Sequence, residues 1–329
     1  SNRNMIINGS MAVSQRGNVA VTPSAVVYGG ADRWRMYPNV SGTASSTVAQ
    51  TAVTWTESKF AQGLTATTTS AAGSMLFMQR IEAVNTSHIA GNKVTLQFKI
   101  AHDVGSTLTV QLLLQRPTNT ADDYSATTDV LGATTVGTCP TGTSSGTLFT
   151  YTSDTLTSTD VSKGLQIQIR VVTTAAVTNK NFYLGDVQLE LGDTATPFEH
   201  ISVGDQLQKC MRYFQRLEWK GGNTIVGLAY SATSGICGLD YTRKRAEPTL
   251  TLPTATSGTN QANGISFLTA AGSYRGGTGT VTASHISRDS CRINFSSWGS
   301  SGATGDAAWA YFTSNDSSDT CFIHIDAEL

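Results

Sequence analysis

The sequence predicts an all-β protein, two β-sandwich (jelly-roll-like) domains joined by a short helix. Three observations carry that expectation. Of 329 residues, 34 are Ser and 49 are Thr, and only 14% are charged, against roughly 25% in an average globular domain. Thr is β-branched and suits strands, Ser and the 31 Gly suit turns, and the surface helix formers Lys, Glu and Arg are scarce. Apolar residues recur mainly with period two, and neither a heptad run nor a fixed repeat is present, so a coiled-coil stalk and a β-helix are not encoded.

The clearest alternation comes early. Val94, Leu96, Phe98 and Ile100 alternate with polar residues, and Leu108, Val110, Leu112 and Leu114 follow the break at Val104-Gly105-Ser106; they read as two antiparallel strands and a turn. Met75 to Ile81, Leu165 to Val171, and Leu184 followed by Val187, Leu189 and Leu191 repeat the pattern. Strands with one apolar face describe a sandwich over residues 1–200. Residues 117–147 are polar and aperiodic and read as one long loop.

Leu207, Cys210 and Met211 fall at helical spacing, with Ser202 as N-cap and Asp205 in the first turn, so a helix over Val203 to Cys210 is expected. Tyr213 to Trp219 then alternate as a strand, which makes residues 201–222 a helix-strand connector. From 223 to 329 eight short β segments return: 224–231, 235–241, 249–252, 264–270, 279–287, 290–296, 307–313 and 320–329. They predict a second sandwich.

Composition narrows the function classes. With 22 basic against 23 acidic residues the net charge is −1, so no footprint for nucleic acid or an anionic membrane is present. The longest apolar runs, such as 110–114, are far short of the ~20 residues that span a bilayer, and no signal-peptide pattern opens the chain. Five scattered Cys show no C-x-x-C spacing and read as buried, reduced thiols. The five His show no metal-ligand spacing. Gly142-Thr143-Ser144-Ser145-Gly146 matches G-x-S-x-G but lacks the strand before and helix after that form a nucleophile elbow. Catalysis is not expected.

Two blocks resemble a known family. The first is Asn4-Met5-Ile6-Ile7-Asn8-Gly9-Ser10-Met11 with Gln15-Arg16-Gly17 and Ala31-Asp32-Arg33-Trp34-Arg35-Met36. The second is Asp186-Val187-Gln188-Leu189-Glu190-Leu191-Gly192 with Ala195-Thr196-Pro197-Phe198-Glu199-His200. Both are similar to bacteriophage tail-fibre and virion structural proteins, in which the bracketed region is a jelly roll like bacterial carbohydrate-binding modules. Leu207 to Phe214, Arg243 to Pro253 and the ending Ile325 to Leu329 resemble the entry and body of a C-terminal receptor-binding head.

The resemblance implies a homotrimeric, non-enzymatic virion protein that binds a host-surface glycan and contacts other tail proteins, with no nucleic acid and no membrane insertion. A structural role as head fibre, decoration protein or tail connector is the alternative, and a secreted bacterial carbohydrate-binding protein a third. No cofactor is required. Sandwiches of that kind often hold a structural calcium, for which Asp186 stands at the last-strand carboxylate and Asn8 offers a carbonyl.

Aromatic rings stack on sugars. Tyr274 and Arg275 beside glycines, Trp298 between serines and glycines, and Asn315 with Asp316 in a Ser/Asp turn are the expected glycan contacts, as loop apices. In the first domain Trp34 and Trp55 are available, with Trp34 expected in the core. Trp309 and Tyr311 share a strand face that suits an inter-subunit core.

Overall fold

A computed structural model describes the chain except residues 1–2, 22–24, 221, 232, 256–263, 270–278, 298–306 and 314–319. The chain divides into two compact units, Ser1–Cys210 with Leu329, and Met211–Glu328. The segment 201–222 is therefore shared: the helix Val203–Met211 lies almost wholly in the first unit and the strand after it in the second.

In chain order the first unit carries β1 Val19–Val21, β2 Val27–Tyr28, β3 Arg35–Val40, β4 Ala44–Ala52, β5 Phe60–Thr69, β6 Gly73–Ile81, β7 Val94–His102, β8 Leu108–Pro117, β9 Thr127–Cys139, β10 Gly142–Thr152, β11 Leu165–Thr173 and β12 Lys180–Leu191. They form two six-stranded sheets, β1-β4-β5-β12-β7-β10 and β2-β3-β6-β11-β8-β9, with every pairing antiparallel. The predicted alternation is the core. Leu96, Phe98 and Ile100 of one sheet face Phe77, Leu112, Leu114, Ile167 and Ile169 of the other in a single buried cluster. Burying such a face is the main drive to fold.

The parity change after Leu184 is a β-bulge, with the register broken between Gly185 and Gln188 and Asp186 at φ 48°. A bulge turns one side chain off the regular face. The expected loop 117–147 is instead mostly strand, as β9 and β10 occupy 127–139 and 142–152. Both are edge strands with Thr-rich, largely exposed sides, and β9 bulges repeatedly against β8. Val130, Leu131, Val136, Phe149 and Tyr151 do pack on the core, but register shifts interrupt the period of two that revealed the other strands.

The helix begins as expected. Ser202 Oγ accepts from the Asp205 backbone N–H at 3.1 Å and donates to the Asp205 carboxylate at 2.7 Å, which satisfies a free N–H of the first turn.

The second unit adds β13 Phe214–Lys220, β14 Thr224–Ser231, β15 Ser234–Asp240, β16 Thr249–Thr251, β17 Thr254–Ala255, β18 Gly264–Thr269, β19 Thr280–Ser284, β20 Ser290–Ser296, β21 Ala307–Thr313 and β22 Thr320–Asp326. A three-stranded sheet, β13-β22-β16, packs with a seven-stranded one, β17-β18-β21-β14-β15-β20-β19. Cys321, Ile323 and Ile325 share one core with Ala229, Ile265, Ile293, Phe295 and Phe312, and Trp219 stacks on Phe312 at 4.3 Å. All five cysteines are free and buried, as expected.

Lys244 is a buried cation in this unit. It donates to the Met211 carbonyl at 2.5 Å and to Gln215 Oε1 at 2.9 Å. Burial pushes its pKa down to about 8 against the attraction of Asp326. Since the folded value lies below the ordinary 10.5, the unfolded chain binds the proton more tightly. Stability from this group therefore rises as pH climbs from about 8 to 10.5 and is at its lowest below 8, a span of roughly 3 kcal/mol. Denaturant titrations of wild type and Lys244→Met across that window should differ by this rise. Parallel curves would show that Lys244 is not held against its charge.

Candidate functional site

The outer face of the second sheet carries a hydrogen-bonded polar layer, in which Gln166 and Gln168 are buried and Arg35, Arg80, Gln111, Gln115 and Arg170 are partly exposed. Strand register sets three rows. The first runs Arg80, Gln166, Gln115, Asp129; the second Arg35, Met78, Gln168, Leu113; the third Tyr37, Leu76, Arg170, Gln111. These are the positions that alternate with the core residues, so the pleat points them outward.

One hydrogen-bond network joins them. Arg80 Nε donates to Gln166 Oε1 at 2.8 Å, and Gln166 Nε2 to Gln115 Oε1 at 2.9 Å. Gln168 Nε2 reaches the same Gln115 oxygen at 2.6 Å, Gln115 Nε2 donates to Asp129 at 2.8 Å, and Arg170 Nη2 donates to Gln168 Oε1 at 3.0 Å. Arg35 Nη1 adds a longer bond to Gln166. Leu76, Met78 and Leu113, though on the outer face, are buried. A layer tied together in this way holds amides and guanidinium groups in fixed orientations.

Two donors on this face are unspent. The Nε atoms of Arg35 and Arg170 are buried with no hydrogen-bond partner among the described residues, an exception to the rule that buried donors are paired. Positive charge accumulates beside them: burial and then the Arg35 charge press the Arg80 pKa down to about 10, and its guanidinium lies over the Tyr124 ring at 4.6 Å.

The expected contacts Tyr274, Arg275, Trp298, Asn315 and Asp316 lie outside the described residues. Trp34 is fully buried in the core, donating its indole N–H to the Asn8 carbonyl at 3.2 Å. Gly142 to Gly146 lies in strand β10, where no nucleophile elbow forms. His102 is buried with Nε2 3.1 Å from the Cys139 carbonyl, and burial lowers its pKa.

Asp186 and Asn8 do not fit a calcium ion. The Lys99 ammonium sits 2.8 Å from Asp186 Oδ2, and the Glu57 N–H donates to Oδ1 at 3.0 Å. A cation of the protein's own therefore meets this carboxylate, and Ca²⁺ needs six to eight oxygens. Asn8 is spent as well. Its amide bridges the Val13 and Asp32 carbonyls and accepts from the Val13 N–H, and its own carbonyl receives Trp34. Among the described residues no three His, Cys, Asp or Glu gather as a metal site.

Gln111, Gln115, Gln166, Gln168 and Arg170 were missed because the sequence reading followed the apolar members of their strands. The signal was available: every outward position of Gln166 to Arg170 is an amide or a guanidinium.

The first unit defines a two-sheet antiparallel β-sandwich with a polar outer face. No protein family and no curated protein matches the chain. Several solved structures align with part of the chain at low similarity. One is a carbohydrate-binding module of the β-sandwich superfamily described for promiscuous specificity, at 12% identity and TM-score 0.35, covering 57% of this chain and 61% of that one. Another is the xylan-binding CBM22-2 domain of Paenibacillus barcinonensis Xyn10C, at 11% identity and TM-score 0.29, covering 57% and 97%. The enzymatically active domain of bacteriophage CBA120 tailspike protein 4 aligns at 13% identity and TM-score 0.28, over 57% and 21%.

Proposed function

We propose that this chain is a non-enzymatic glycan-binding virion protein, a bacteriophage tail-fibre or receptor-binding component that engages host-surface sugars. The observation that carries the reading is the polar layer of the second sheet. Its orphan Arg35 and Arg170 donors sit beside oriented glutamine amides. Neighbouring hydroxyls of a pyranose offer both acceptors and donors, and planar side chains held by one another meet them in pairs at little entropic cost. The resemblance of the Asn4–Met11 and Asp186–Gly192 blocks to virion proteins supports the tail-fibre role and a virion location.

Homotrimerisation belongs to the same proposal. Val226, Leu228 and Tyr230 are 71%, 44% and 47% exposed on one face of β14, with Trp309 of β21 opposite Val226. A face so apolar and uncharged suits burial against protein. Three copies would also multiply a weak single-site affinity. A structural virion role draws on the same face, with another virion protein as its cover.

The test is binding of labelled protein to host cells before and after periodate oxidation, with Arg170→Ala and Gln168→Ala alongside. Periodate-sensitive binding that falls roughly 10- to 100-fold in Arg170→Ala is expected, the loss of one hydrogen bond to a charged group. Binding to purified virions but to no host cell would favour the structural reading.

A further inference from the structure

On the opposite sheet of the first unit the geometry points to a second sugar-contact surface, in which Trp55 and Tyr183 form a platform for the apolar face of an uncharged hexopyranose. This rests on the glycan-binding reading above but on different residues. Trp55 sits in the loop between β4 and β5 and is half-buried. The benzene half of its indole rests on glycines of two strands. A Cβ on Gly146 would lie 2.5 Å from Trp55 Cε3, and one on Gly185 3.0 Å from Cζ3. Only residues without side chains let the ring settle there.

The ring is held in place from several sides. Its Nε1 donates to the Thr143 carbonyl at 3.1 Å, and Lys99 Nζ donates to the Trp55 carbonyl at 3.0 Å. Asp186 grips the same loop through the Glu57 N–H and completes the Lys99 pair. The polar edge of the indole is thereby spent, and what remains for a ligand is carbon surface. The bulge that turns Asp186 outward, together with Lys99, thus braces a tryptophan.

Tyr183 lies two residues from Gly185 on β12. It stands opposite Gly63, where a Cβ would be 3.2 Å from its ring and about as close to the Thr51 hydroxyl and the Thr65 methyl. Leu148, 57% exposed, is opposite Lys99 on β10. Nearby, Lys99 pairs with Asp186, while the Asp103 carboxylate accepts from the Asn181 amide at 2.6 Å and keeps its negative charge close to Tyr183. Two aromatic rings, the Thr51 hydroxyl and a negative charge that repels acidic groups suit an uncharged sugar, stacked through its C–H face. Trp55 and Tyr183 are each partly exposed, and Leu148 is exposed on the same sheet.

Calorimetric titration of the full chain with a panel of neutral hexopyranose oligosaccharides tests this. Two sites per chain are expected in the wild type. Trp55→Ala should reduce this to one, Trp55→Phe should retain two with a severalfold weaker second site, and thermal melts should confirm that both variants fold. Unchanged stoichiometry in Trp55→Ala, with binding lost only in Arg170→Ala, overturns the platform and leaves the polar face standing. No binding of any oligosaccharide by the wild type overturns both.

Discussion

Replacing Trp34 by Ala should destabilise the first unit by roughly 3–5 kcal/mol, the range for removing a buried large aromatic. The ring is fully buried in the cluster formed by Ile6, Met11, Met36 and Phe77. Truncation opens a cavity between two sheets that cannot close over it, and it also removes the donor to the Asn8 carbonyl. Asn8 is the node that ties Val13 and Asp32 together, so the loss spreads along the N-terminal segment. Trp34→Phe, which keeps most of the volume but not the N–H, should cost about 1–2 kcal/mol. Scanning calorimetry measures both, and a loss below 1 kcal/mol in Trp34→Ala would mean that the indole is not integral to the core.

Lys99→Met should cost about 3 kcal/mol, the lower end for breaking a buried ion pair from one side. Asp186 is only 2% exposed at its side chain, and Lys99 27%. Removing the lysine leaves the carboxylate with the Glu57 N–H, whereas Asp186→Ala leaves an ammonium that can turn to water. The lysine variant should therefore be the weaker of the two, and Lys99→Met with Asp186→Asn should recover most of the difference. Denaturant unfolding tests the order. Limited proteolysis at residues 53–59 gives a second readout, since both partners hold the Trp55 loop. Equal losses in both single variants would refute the asymmetry.

Much of the fold was legible because burial on one side of a strand writes a period of two into the chain. Strands β14, β20 and β21 lie where the alternation put them, residues 224–231, 290–296 and 307–313. The blocks that carried the resemblance meet in space. Asn4 donates to the Val187 carbonyl and its own Oδ1 accepts from the Leu189 N–H, while Glu199 receives the Asn4 N–H. Those residues hold the two ends of the sandwich together. β9 and β10 escaped because register shifts break their alternation and only a few of their residues reach the core.

What the sequence determined by itself was the all-β class, the burial of Trp34 and the capped helix after Ser202, because propensity, period and capping act between residues close in the chain. The tertiary structure alone decided which polar residues form a surface. Gln115, Gln166 and Arg170 come from strands up to 55 positions apart and meet only through sheet register. It likewise decided that Asp186 pairs with Lys99, which lies 87 residues away along the chain. Pairing across a sheet is long-range, and no local pattern records which partner a side chain will find.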